Sequence, residues 1–97
     1  MTSERRKEIE CRAILTYGAQ MQGDMCIEEM SELTKALLKY RRYISEPDKQ
    51  EDLSDAVREE VADVQIMLEQ LRMIYGDSGD TEEYKLNRLW ARMEAET

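Results

Sequence analysis

The sequence predicts an all-α protein, and three of its properties support this fold class. Its 97 residues include one proline and four glycines, the two residue types that most often interrupt helices. Residues that favour helices, such as glutamate, leucine, methionine and lysine, occur throughout, and phenylalanine is absent. Apolar residues recur at spacings of three and four, which is typical of amphipathic helices. We expect one domain over residues 1–97, because a chain of this length rarely forms two.

The first helix is predicted over about residues 3–17. Its apolar residues recur at helical spacing: Ile9, Ala13, Ile14 and Tyr17. Gly18 and Gly23 weaken the pattern, which indicates a kink or short turn before the second helix.

The second and third helices are separated by the longest predicted linker, residues 45–53. The second helix is expected to begin near Asp24 and to end before Pro47, because proline disfavours a helical residue ahead of it. Three side chains are candidate caps for the third helix: Asp52, Ser54 and Asp55. The third helix is expected to stop at Gly76, since glycine is the commonest residue at helix ends.

The fourth helix is predicted to follow a turn at residues 77–80. Thr81 is the expected N-cap, and Glu82 and Glu83 suit the positive end of the helix dipole. The apolar side of this helix contains four residues: Leu86, Leu89, Trp90 and Met93. We expect this side to belong to a core, with Trp90 as a core residue, and the alternative for Trp90 is a platform on which a base stacks.

Charge and missing residue types exclude several functions. The chain has 22 acidic and 14 basic residues, a formal charge of −8, which argues against binding to nucleic-acid polymers or anionic membranes. It has no histidine, which excludes a Ser-His-Asp triad, the common zinc sites and the histidine ligands of di-iron bundles. Any metal chemistry must therefore rely on carboxylates.

The cysteines and the beginning of the chain suggest a cytoplasmic protein. Cys11 and Cys26 form no CxxC motif, and we expect both to be buried as small apolar residues. Residues 1–10 are too charged for a signal peptide, and no stretch approaches the roughly 20 apolar residues that span a bilayer.

Four acidic residues form two pairs at three-residue spacing. On a helical wheel, Glu29 and Glu60 fall within the apolar stripes of the second and third helices, and Glu32 and Asp63 lie at the edges. Buried carboxylates repel one another and are costly to desolvate, so a stable fold needs a cation between them. Oxygen ligands alone favour Mg²⁺, with Mn²⁺ also suitable. Two alternatives stay open: solvated acidic faces, or pairing of Glu29 and Glu60 with buried arginines.

The two acidic motifs resemble those of a known family. Glu29-x-x-Glu32 is followed, after 27 residues, by Glu60-x-x-Asp63, and each motif begins with a double glutamate. This arrangement is similar to the signature of the all-α nucleoside triphosphate pyrophosphohydrolases, the MazG-like superfamily, and the similarity covers about residues 20–75. It implies a four-helix MazG-like bundle with catalytic metal ligands at these four positions. It also implies Mg²⁺-dependent cleavage of NTPs or dNTPs to the monophosphate and pyrophosphate, a possible house-cleaning of the nucleotide pool.

The resemblance also implies basic residues on the last helix that contact the phosphates. Lys85, Arg88 and Arg92 form such a strip, although a solvated basic face would have the same spacing. Lys39 is a further candidate, and it could instead pair with Glu32 or Glu28.

Recognition of the base is expected near the break after the first helix. Tyr17 offers a ring for stacking, and Gln20 offers an amide that could meet a base edge. The alternative for Tyr17 is a core position.

Other functions and an oligomeric state follow from the same residues. A phosphoribosyl-ATP pyrophosphohydrolase belongs to the same superfamily, and a non-enzymatic acidic module that binds other helices is an alternative of a different class. A homodimer or homotetramer is expected, because Ala62, Ile66 and Met73 give the third helix a second apolar face.

Overall fold

The computed structural model describes residues 1–96, and this part of the chain forms four α-helices without a β-strand. The helices are α1 (Ser3–Tyr17), α2 (Ala19–Arg42), α3 (Pro47–Tyr75) and α4 (Gly79–Glu96). The all-α fold class is therefore confirmed. None of these helices is both long and apolar enough to cross a membrane.

The bounds of α1 agree with the sequence prediction. The hydroxyl of Thr2 caps the helix by accepting a hydrogen bond from the backbone N–H of Arg5 at 3.0 Å. Gly18 ends it with φ of +90°, a conformation that residues with a β-carbon rarely adopt. A single residue thus joins α1 to α2.

The second helix begins earlier than predicted, at Ala19 rather than near Asp24, so Gly23 lies inside it. A glycine within a helix costs about 1 kcal/mol relative to alanine, which is the reason for the expected break. Gln22 and Cys26 on either side of Gly23 are buried, and their packing offsets this cost. The prediction that both cysteines are buried is correct for Cys26 and wrong for Cys11, which is exposed.

The predicted linker at residues 45–53 is wrong, because α3 begins at Pro47. Proline suits the first turn of a helix, where its fixed φ is helical and its missing N–H is not needed. The candidate caps Asp52, Ser54 and Asp55 consequently lie inside α3. The end of α3 before Gly76 is as predicted.

The helices α2 and α3 form an antiparallel hairpin, which contains most of the core. Residues 43–46 connect them, and the side-chain amide of Gln50 donates to the backbone carbonyls of Tyr43 and Glu46 at 2.6 and 3.3 Å. Four apolar residues are buried: Cys26, Leu53, Val64 and Met67. At the other end of the hairpin, Gln22 Nε2 donates to Gln70 Oε1 at 2.6 Å in a buried hydrogen bond. The first helix, α1, packs against both α2 and α3 and completes this unit.

The fourth helix stands apart from the other three. Within the described chain, no Cα atom of α4 comes within 8 Å of a Cα atom of another helix, and none of its side chains is buried. It begins at Gly79, so Thr81 lies inside the helix and is not its cap. The expectation that its apolar side joins a core is wrong for the single chain: Trp90 is 62% exposed. Its first turn lies near α3, where Glu82 is 3.9 Å from Arg72.

Candidate metal centre

The antiparallel hairpin places the two acidic motifs opposite each other. Glu29 on α2 and Glu60 on α3 are half-buried between the helices, whereas Asp63 is exposed at the edge. One carboxylate oxygen from each of the three lies within 4.8 Å of the other two. We refer to Glu29, Glu60 and Asp63 as the acidic cluster.

The acidic cluster lacks a partner of opposite charge. The Oε2 atom of Glu60 is covered by protein and has no hydrogen-bond partner. None of the ion pairs between described residues involves a member of the cluster. The alternative with buried arginines beside Glu29 and Glu60 is therefore not observed. A covered, unpartnered carboxylate oxygen among three converging carboxylates suits a hard divalent cation such as Mg²⁺.

Repulsion and burial alter the acidity of the cluster. Burial, followed by the charges of Asp63 and Glu60, raises the pKa of Glu29 above its ordinary value. Burial and the charges of Asp63 and Glu32 likewise raise the pKa of Glu60. Both carboxyl groups thus hold protons more tightly than a free glutamate, which is the behaviour expected where a cation would relieve the repulsion.

Glu32, the fourth predicted ligand, lies outside the acidic cluster. Its carboxylate is exposed and pairs with Lys35 at 3.3 Å. It is one helical turn from Glu29, and its negative charge contributes to the raised pKa of both Glu29 and Glu60. The structure therefore brings three of the four predicted ligands together and leaves the fourth nearby.

The predicted phosphate-binding residues are not brought to the acidic cluster of the same chain. Lys85, Arg88 and Arg92 lie on α4, which does not pack on α2 or α3, and none of them acts on the pKa of Glu29 or Glu60. Arg88 instead lies over the ring of Tyr84, with 5.8 Å between the guanidinium carbon and the ring centroid.

The remaining predicted residues lie along or beside α2. Lys39 follows Glu29 by ten residues, a distance of about 15 Å along the helix axis. Gln20 precedes Glu29 by nine residues, or about 14 Å, and is exposed. Tyr17 is exposed at the end of α1, so its alternative assignment to the core is wrong for the single chain.

A cleft of about 290 Å³ lies between α2 and α3. It is lined by five residues of α2 and α3: Leu37, Tyr40, Ser54, Val57 and Arg58. Val57 is about one helical turn from Glu60, so one side of the cleft lies about 5 Å along α3 from the cluster. The sequence alone gives no sign of this cleft, because a cleft between two helices depends on how their faces are paired.

A second acidic site was also missed. Glu10 on α1 is buried beside Glu69 of α3, and Arg6 pairs with Glu69 at 2.6 Å. The helical wheel contained the signal, because Glu10 is three and four residues from the apolar Ala13 and Ile14.

The chain matches no protein-family model, no curated protein and no solved structure. The resemblance to the MazG-like superfamily rests on the two acidic motifs and stays a prediction.

Proposed function

We propose that the protein is a Mg²⁺-dependent nucleoside triphosphate pyrophosphohydrolase that releases pyrophosphate and a nucleoside monophosphate. The observation that carries this proposal is the acidic cluster, in which three carboxylates converge and Glu60 Oε2 is covered without a partner. Glu29, Glu60 and Asp63 would hold the cation, which Mn²⁺ could replace. When bound, the metal offsets the charge of the triphosphate and lowers the pKa of an attacking water.

The four carboxylates would have different roles in the reaction. Glu29 and Glu60 are half-buried between the helices, whereas Asp63 is exposed and accessible to a ligand from solvent. Glu32 is exposed one turn from Glu29, so we propose that it accepts the proton of the attacking water or completes the ligand set. Its replacement by glutamine should lower turnover more than it lowers Mg²⁺ affinity if it acts as the base.

The nucleoside part has two candidate positions. Tyr17 and Gln20 are the residues proposed from sequence, and the cleft that contains Tyr40 is the second position, with Val57 on its wall one helical turn from Glu60. Alanine at Tyr17 or at Tyr40 distinguishes them, because only the residue that contacts the base should change the relative kcat/KM among nucleotides.

We propose further that the working unit is a homodimer, which could pair again into a homotetramer. Trp90 and its apolar neighbours on α4 are exposed in the single chain, as are Ile66 and Met73 on α3. Such surface is unusual for a stable monomer, and few apolar residues are buried within the chain. In the dimer, α4 of one subunit would pack against the partner and carry Arg88 and Arg92 towards the partner's acidic cluster, where positive charge is missing.

The exposed α4 also favours a second candidate, an acidic helical module that binds the helices of another protein. Such a module would neither bind Mg²⁺ at the acidic cluster nor release pyrophosphate. A cytoplasmic location remains a prediction for either function.

A pyrophosphate-release assay with Mg²⁺ tests the enzymatic proposal directly. The panel should contain ordinary and modified NTPs and dNTPs, and phosphoribosyl-ATP as the alternative substrate. Glu60→Gln should abolish release, whereas Glu59→Gln, a change to the exposed neighbouring residue, should retain it. Equal activity of the two variants would reject the acidic cluster as the site, and no release from any substrate would favour the binding module.

A further inference from the structure

The attachment of α1 to the rest of the protein depends on an acidic side chain. Glu10, 4% exposed, is the one buried residue of α1. Ile9, Leu15 and Tyr17 of the same helix are exposed. Ala13 and Ile14 are half-buried and contribute an apolar contact, but Glu10 is the one fully buried side chain of α1, so its protonation state affects the docking of this helix.

Glu10 faces a second carboxylate across the contact between α1 and α3. Arg6 Nε lies 2.6 Å from Oε1 of Glu69 and 4.0 Å from Oε2 of Glu10. Oε2 of Glu10 is covered and has no hydrogen-bond partner. A single guanidinium thus stands beside two carboxyl groups and is directed mainly at one of them.

The two carboxyl groups differ in their interactions: Glu10 holds a proton, and Glu69 accepts a hydrogen bond from Arg6. Burial, followed by a hydrogen bond to Glu69, raises the pKa of Glu10 to about 7. The hydrogen bond from Arg6 lowers the pKa of Glu69 to about 2. Below about pH 7, protonated Glu10 therefore donates to ionised Glu69.

The connection after α1 permits it to move as a unit. Gly18 is the one residue between α1 and α2, and its φ of +90° is already outside the helical range. A β-carbon added to Gly18 would have no atom within 4 Å, so no side chain packs against this residue, and it is held by two backbone hydrogen bonds, to Ile14 at 2.8 Å and from Gln22 at 3.1 Å.

We propose that α1 is a proton-gated helix, docked on α3 through the Glu10–Glu69 pair and released about Gly18 when Glu10 ionises. Release follows from repulsion between two adjacent carboxylates at a buried contact that one arginine does not neutralise. This proposal is independent of the nucleotide chemistry, because the Glu10–Glu69 pair contains no member of the acidic cluster.

Arg6 and Glu69 are the charged groups that act on the pKa of Glu10, and the other charged groups near this contact do not offset its ionisation. Lys7 of α1, Arg72 of α3 and Asp77 line the same cavity, of about 450 Å³. Arg72 is paired with Asp77, which leaves little of its charge for Glu10. Among the described residues, no charged group of α2 acts on Glu10, and burial raises the pKa of the Cys26 thiol on that helix, which keeps it neutral.

The direction of the pH dependence follows from the raised pKa of Glu10. Its contribution to docking is complete below the ordinary carboxyl pKa of 4.5 and is lost as pH rises through about 7. Each pH unit within this window changes the docking equilibrium by up to about tenfold, so the total change is at most about 300-fold.

Hydrogen exchange of the full chain between pH 5.5 and pH 8.5, corrected for intrinsic exchange rates, tests the proposal. Protection of α1 amides relative to those of α2 and α3 should fall by roughly 10- to 100-fold across this range. Glu10→Gln keeps a neutral hydrogen-bond donor, so its α1 should stay protected throughout. Glu8→Gln, which alters an exposed residue of the same helix, should behave like the original chain.

Two results would overturn the proposal: α1 protection that does not depend on pH, or an equal loss in Glu10→Gln. If Glu10→Gln does not fold, a carbon-13 titration of the glutamate carboxyl groups in the unaltered chain gives the answer. Titration of Glu10 near neutral pH, together with the α1 amide signals, supports gating. Titration of Glu10 at the pH typical of exposed glutamates contradicts it.

Discussion

Mixing two inactive variants of the chain would show whether α4 acts on the partner subunit. One variant carries Glu60→Gln and keeps its basic residues. The other carries Arg88→Ala with Arg92→Ala and keeps its acidic cluster. Each variant alone should be inactive, because every site in the proposed homodimer would lack either the carboxylate or the arginines.

The expected recovery can be worked out from the placement of α4 away from its own chain. Random pairing of equal amounts produces about one half mixed dimers, and one of the two sites in each mixed dimer receives intact parts from both chains. The mixture should therefore regain about one quarter of the original pyrophosphate-release rate. If α4 serves its own chain, no mixed dimer contains a complete site and the mixture stays inactive.

The assay needs proof that subunits have exchanged and that α4 has docked. Trp90 is the only tryptophan in the chain, and it lies on the apolar side of α4. Its fluorescence should shift to shorter wavelength as the protein concentration rises, because docking on a partner removes the ring from water. An inactive mixture in which this shift and exchange are both present would refute the docking of α4 as an active-site element. An unaltered chain without any activity would instead reject the proposed function.

Three further predictions concern charge and assembly. In the metal-free protein, Glu60→Gln should not lower the melting temperature, because it removes one of several repelling charges, while turnover should fall by more than about 100-fold. Because the pKa values of Glu29 and Glu60 are raised in the folded chain, these groups contribute stability at acid pH that is lost as pH rises through their pKa values. The metal-free protein should therefore become less stable towards neutral pH, and Mg²⁺ should reduce this loss. A steady gain in thermal stability over the same pH range would contradict the clustering of the carboxylates. Ile66→Glu should produce a monomer with reduced activity, and light scattering that gives the same mass for the variant and the original chain would exclude Ile66 from the interface.

Helix bounds were predictable where one local signal dominates. Gly18 and Gly76 end helices because their positive φ values suit glycine and few other residues. The errors occurred where two local rules compete. Pro47 was expected to lie in a linker, yet the same residue is favourable in the first turn of a helix. Gly23 remains helical because the buried residues beside it pack against the other helices, which a local rule does not include.

The candidate site was predictable to the extent that it depends on single helices. The wheel showed that Glu29 and Glu60 point into apolar stripes, and in the structure both are half-buried. The wheel does not predict that Asp63 lies with them whereas Glu32 pairs with Lys35. Side-chain rotamers, which a helical wheel does not include, determine which of the two edge carboxylates joins the cluster. The position of α4 could not be predicted from local rules, because they describe an apolar side of a helix and do not say which surface it packs on; in the structure it packs on none of the other three helices.

The buried hydrogen bond between Gln22 and Gln70 has a consequence for the register of the hairpin. The mainly aliphatic contact between α2 and α3 would tolerate a slide of one helix along the other, since apolar packing has little directional preference. A slide of one turn, about 5.4 Å, would separate the two amides and leave both without partners in a buried place. That alternative alignment would also carry Glu60 away from Glu29. A neutral pair at one end of the hairpin thus selects, among several similar alignments, the one in which the carboxylates meet.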